Sequence, residues 1–189
     1  MVKYNPKFHH RKSIRLKGYD YSQEGLYFVT IVTKERKHLF GEIKNGEMIL
    51  NDAGIIAKKY WLEIPEHFPN TQLHSFIVMP NHIHGIIEII GEIKNSVETN
   101  SIVGAKNFSP LRETTKPKFH SPSKTIGSII RGFKIGITKW FQQHYPNEFS
   151  VGESVWQRNY WEHIIRNDED YKRIIQYIID NPIKWKQTN

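Results

Sequence analysis

Short apolar stretches recur along the chain, and their spacing changes from one to the next. LYFVTIVT (26–33) is dense in β-branched and aromatic residues, the composition of a strand. GEIKNGEMIL (41–50) sets two short alternating segments around Asn45-Gly46, a dipeptide that predicts a hairpin. Asn51 or Asp52 caps a following helix whose apolar face is Ile55, Ile56, Tyr60 and Ile64. LHSFIVMP and HIHGIIEII read as two further core strands, joined by a turn at Pro80-Asn81.

The pattern lapses between Gly91 and Pro122, where Asn, Ser, Thr, Lys and Pro dominate; this segment reads as a polar loop inserted at 91–122. Ser123 then opens a long helix with Ile126, Ile129, Ile130, Phe133, Ile137 and Trp140 on one side. VWQRNYWEHIIRN predicts a short aromatic strand or hairpin. A last helix starts near Asn167 or Asp168, places Glu169 and Asp170 at its positive end, and stops at Pro182. Tight turns between strands that alternate with helices indicate an α+β class. One domain over 1–189 is expected, with a basic arm over 1–24.

Charge narrows the partners. Among 189 residues, 27 Lys+Arg oppose 19 Asp+Glu, a net charge of +8 that favours a polyanion, nucleic acid first. The absence of cysteine excludes a disulfide framework, a thiolate nucleophile and thiolate-bound zinc. No apolar run approaches the ~20 residues that cross a bilayer, and the polar, basic start lacks the apolar core of a secretory signal. A cytoplasmic protein without a membrane partner is the expectation.

Two patterns offer chemistry. On a strand, side chains alternate sides, so His82 and His84 face one way while Ile83 faces the core. Paired imidazoles can share a metal ion, although a His-x-His pair taken alone is more often ordinary surface. On the last helix, Tyr177 and Asn181 are four residues apart and therefore share a stripe. A phenol and an amide there can be a nucleophile and an oxygen ligand, or merely a common way to end a helix before proline.

Taken together, VMPNHIHGIIEI, VWQRNYWEHIIRN and DYKRIIQYIIDNP resemble the His–hydrophobic–His (HUH) single-tyrosine transposases of the REP-associated type. The resemblance runs back through RKSIRLKGYDYSQEGLYFVTIVT and covers most of the chain outside 91–122. It implies a ferredoxin-like or RRM-like antiparallel sheet with helices packed on one face. It also implies His82 and His84 as a metal pair, Asn181 as the third ligand, Tyr177 as the nucleophile, and Mg²⁺ or Mn²⁺ as cofactor. Tyr171 is the competing phenol, but only Tyr177 has an amide four residues on. The implied reaction cleaves and rejoins single-stranded DNA beside a REP-like hairpin through a 5′-phosphotyrosine, with the protein acting as monomer or homodimer.

Cations are expected on the DNA backbone: Arg11, Lys12, Arg15 and Lys17 from the arm, and Lys124, Arg131, Lys134 and Lys139 from the long helix. Arg158, His163 and Arg166 flank the last helix, and Trp156, Tyr160 and Trp161 either stack on bases or fill the core. Two rivals remain at this level: a non-catalytic single-strand-binding module of RRM-like fold, and a metal hydrolase that pairs the histidines with Glu88.

Overall fold

A computed structural model describes residues 20–90 and 124–185. In chain order its regular elements are β1 (Gly25–Val32), β2 (Gly41–Lys44), β3 (Glu47–Leu50), α1 (Asp52–Leu62), α2 (Ile64–His67), β4 (Thr71–Met79), β5 (His82–Ile89), α3 (Ile126–His144), β6 (Trp161–Ile165) and α4 (Asp168–Asp180). The inserted segment 91–122 lies outside the described residues, as do Arg11, Lys12, Arg15 and Lys17 of the arm.

The main sheet has the order β4-β5-β1-β6, with every pair antiparallel. With α1 and α3 as the two crossovers, this is the ferredoxin-like arrangement. Local chemistry sets the boundaries. Asn45 and Gly46 take φ of 52° and 79°, the doubly positive turn that joins β2 to β3 and that a β-branched residue would resist. Asn51 Oδ1 accepts from Gly54 N at 2.9 Å and caps α1. Asn167 caps α4 by accepting from Asp170 N at 2.8 Å.

The sheet carries a core on each side. On one side Tyr27, Val29, Ile31, Ile83 and Ile87 pack with α1 and α3. Here α1 departs from its expected face: Ile55 is exposed, while Ala53, Ala57 and Trp61 are buried. Small residues let α1 lie close to the sheet, and Trp61 rests over Gly85, where an added Cβ would meet the indole at 2.2 Å. On α3 the expected face holds, with Ile126, Ile129, Ile130, Phe133 and Ile137 all buried.

The antiparallel α+β class therefore stands, but the helices do not all share one face. Crossover handedness puts α1 and α3 on the same side, and α4, which follows the last strand, covers the other. There Ile174 and Ile178 pack against Phe28, Ile86 and Ile165. The alternation of β5 decides the outcome: Ile83 is fully buried under α1 and α3, so His82 and His84 face α4. No described helix is long and apolar enough to cross a membrane.

Candidate active site

The two imidazoles lie with ring centroids 4.4 Å apart. Each is oriented through Nδ1. Asn81 Nδ2 donates to the Arg36 carbonyl at 3.2 Å, so its Oδ1 accepts, and His82 Nδ1 donates to it at 2.7 Å. Thr30 Oγ1, on the neighbouring β1, shares a 2.9 Å hydrogen bond with His84 Nδ1. Nδ1 of each ring is thus engaged, which leaves Nε2 to point elsewhere.

Burial keeps both rings neutral. Desolvation lowers His84 to about 3, with the charge of His82 adding to the effect. Desolvation also lowers His82 to about 4; a hydrogen bond with Asn181 opposes that shift, and the Arg36 charge reinforces it. An imidazole must shed its proton to serve as a ligand, and both rings are in that neutral form near neutral pH.

Tyr177 and Asn181 reach this pair from α4. The Tyr177 hydroxyl is 3.3 Å from His84 Nε2, and the two ring centroids are 5.1 Å apart. Asn181 ends the helix and hydrogen-bonds His82. The four residues expected at the centre are thus together, although 93 positions separate Tyr177 from His84. Among the described residues no group of three or more His, Cys, Asp or Glu could hold a metal ion, so the third donor here would be the Asn181 amide.

Tyr171 is placed otherwise. Its hydroxyl meets His74 Nδ1 at 2.8 Å, and His74 Nε2 meets Glu88 at 2.9 Å. This removes Glu88 from the imidazole pair: it lies four residues along β5 from His84, which at ~3.3 Å per residue is roughly 13 Å. The hydrolase reading built on Glu88 has no geometric support.

The basic residues separate into groups. α3 lies across the sheet from the imidazoles, so Arg131 and Lys139 stand away from them; Lys124 is exposed just before the Thr125 cap and not on the helix. Lys134 donates to the carbonyls of Gln157 and Asn159 at 2.9 and 3.0 Å, and burial lowers its amine to about 8. It holds the segment before β6 in place. Arg158 and Arg166 are exposed on either side of β6. Trp156 is core, whereas Trp161 is exposed on the α4 side.

Several neighbours escaped the sequence reading. The Trp185 ring lies tilted beside both His82 (5.6 Å) and His38 (5.7 Å). Asn81 and Thr30 orient the rings, and Asn81 had a signal in its place directly before His82 at the turn. A cleft of about 530 Å³ opens beside Tyr177, between β6 and α4. His163 lines it and shares Asp170 with Arg173; His163 contacts Asp170 Oδ2 at 2.6 Å. The His163 hydrogen bond, then Arg173, holds the Asp170 carboxyl below the usual carboxylate range.

No family model matches the chain. An uncharacterized protein of Haemophilus influenzae is 47% identical over 187 residues, 98% of this chain and 96% of the relative. A second Haemophilus influenzae protein, with the provisional name REP-associated tyrosine transposase, is 25% identical over 166 residues, 87% of this chain and 74% of its own. The structure of a REP-associated tyrosine transposase bound to a REP hairpin has the same fold, at a TM-score of 0.55 and 19% identity over 90% of this chain and 73% of that one. Along most of its length the chain is thus similar in sequence to a provisionally named REP-associated tyrosine transposase, and it shares the fold of a solved one.

Proposed function

We propose that the chain is a transposase-like endonuclease and strand transferase that cleaves single-stranded DNA beside hairpins through Tyr177 and rejoins it, with Mg²⁺ or Mn²⁺ as cofactor. One observation carries this reading: the Tyr177 hydroxyl is 3.3 Å from Nε2 of an imidazole that is itself paired with a second imidazole. The hairpin substrate follows from relatedness, since the similar solved transposase is bound to a REP hairpin. The net charge of +8 suits such a polyanion.

The donor set fits the cofactor. His82, His84 and the Asn181 amide oxygen offer mixed nitrogen and oxygen ligation without sulfur, which suits a cation that must also bind phosphate. Bound there, the cation would neutralise charge on the scissile phosphate and polarise it for attack.

The chain's own groups do the rest. The Tyr177 oxygen attacks phosphorus and loses its proton, while the bond from phosphorus to the 3′ oxygen breaks and that oxygen takes up a proton. The result is a 5′-phosphotyrosine and a free 3′-hydroxyl, and the reverse step rejoins a strand without an outside energy source. Thr30 and Asn81 fix the two rings, and α4 delivers phenol and amide from one stripe. Tyr177 is 46% exposed, open enough to meet an internal phosphate, and such an attack requires the splayed backbone of a single strand.

The rival is a binding module that uses Trp161 as an exposed stacking surface without chemistry. The two separate when single strands from the DNA flanking the gene are incubated with the protein and Mn²⁺, then denatured. A protein–DNA adduct that resists denaturation supports the transferase. A protein that shifts hairpin DNA yet never forms the adduct is the binding module.

A further inference from the structure

The cleft beside Tyr177 has a composition that the cutting chemistry itself does not require. Phe28 and Ile174 give it apolar walls, and Trp161 stands at its edge, 44% exposed. Neighbours hold the indole in place: it lies parallel to the His163 ring within 5° at 5.9 Å, and Phe28 meets it edge-on at 5.6 Å. Asp170 takes both His163 and Arg173, while the Arg173 side chain remains 70% exposed at the rim. The carboxylate is turned toward these partners, its side chain only 16% exposed, so the charge presented outward is the guanidinium. A volume near 530 Å³ falls within the roughly 300–1,000 Å³ of pockets that hold small organic groups. The same cleft is lined by Tyr177 and His84.

We propose that this cleft binds one unpaired nucleobase of the DNA strand, from a nucleotide adjoining the phosphate that Tyr177 attacks. Trp161 is its stacking surface, and Arg173 contacts the neighbouring backbone phosphate. The inference rests on the single-strand cleavage reading and extends it to the part of the substrate that sets where the cut falls. A flat, preoriented aromatic ring accepts any base by its π-face, and a cation at the rim holds the phosphate beside it. Because base and nucleophile share one cavity, seating the base brings its phosphate to the phenol.

The test uses a hairpin oligonucleotide with single-stranded oligothymidine flanks, carrying one 2-aminopurine at successive flank positions, without metal so that nothing is cut. Fluorescence quenching is expected at one position in the wild type and is lost in Trp161→Ala, which binds that flank about tenfold more weakly, the scale of one lost stacking surface. Trp161→Phe keeps most of the quenching, which separates stacking from misfolding. Arg173→Gln weakens binding and flattens its salt dependence. Unchanged quenching in Trp161→Ala, or quenching at no position in the wild type, overturns the pocket whether or not the protein cuts. Quenching without any covalent adduct in Mn²⁺ leaves the pocket standing and removes the transferase reading instead.

Discussion

The Tyr171 hydroxyl lies 2.8 Å from Nδ1 of His74, whose other nitrogen holds Glu88. The first tyrosine of α4 is therefore tied to the sheet, and the second, Tyr177, faces the imidazole pair. Tyr171→Phe should cost about 1 kcal/mol of stability, the usual net worth of one hydrogen bond, and leave cleavage within a few-fold of wild type. Tyr177→Phe should abolish the covalent adduct and keep hairpin affinity. Adduct formation that followed Tyr171 would reverse these assignments; gel analysis after denaturation checks both variants.

Orientation of the rings gives a second expectation. Asn81 accepts from His82 Nδ1, so Asn81→Ala frees the ring to rotate. Mn²⁺ affinity, measured by titration calorimetry, should fall by about 10–100-fold, the usual effect of removing a ligand's hydrogen-bond partner. His84→Ala should abolish specific Mn²⁺ binding. A metal affinity indifferent to both changes would place the ion elsewhere.

Acid should weaken the metal-free protein through the same pair. His84 titrates at about 3 and His82 at about 4, against 6.5 for an ordinary histidine. Between these values and 6.5 the unfolded chain binds more protons than the folded one, so stability rises with pH across that window. The contribution is complete above 6.5 and is lost as pH falls toward 4 and then 3. Urea midpoints taken at pH 7.5 and pH 5 should differ in that sense, and less so in a His82→Gln, His84→Gln protein. Equal differences in both proteins would assign the acid sensitivity to other groups.

Gly85 follows His84 and lies under the Trp61 indole. Gly85→Ala forces a methyl group against that ring, an overpacking that costs roughly 1–3 kcal/mol. Thermal unfolding should show the loss, and Mn²⁺ binding should weaken as β5 shifts. A variant as stable as wild type would mean that Trp61 moves aside freely.

Strands, hairpin and the caps of α1 and α4 were legible in the sequence because period and local chemistry determine them, whereas the long helix is capped by Thr125 and not opened by Ser123. The meeting of Tyr177 with His84 was legible only through the family resemblance, since period puts Tyr177 and Asn181 on one stripe without saying what that stripe faces. The α1 face was not: Ala53 and Ala57 carry no strong apolar signal, and their value lies in close approach to the sheet. Nor was the placement of α4, since a helix after the last strand can cover either side, and only the buried Ile174 and Ile178 decide it. Lys134 read as a surface cation because its two carbonyl partners lie over twenty residues away in sequence. The His74–Glu88 contact depends on the irregular register of β4 between Leu73 and Phe76, which residue patterns do not announce.

The two layers flanking the sheet are unequal. Beneath it lies a broad core that includes both crossover helices, while above it α4 buries only Ile174 and Ile178, with Tyr171 and Ile175 packed partly against that small cluster. Its amides should exchange with solvent sooner than those of α3. A strand joined to Tyr177 would then travel with a helix anchored more shallowly than α3, and could be lifted from one partner end toward another while the scaffold beneath stays folded.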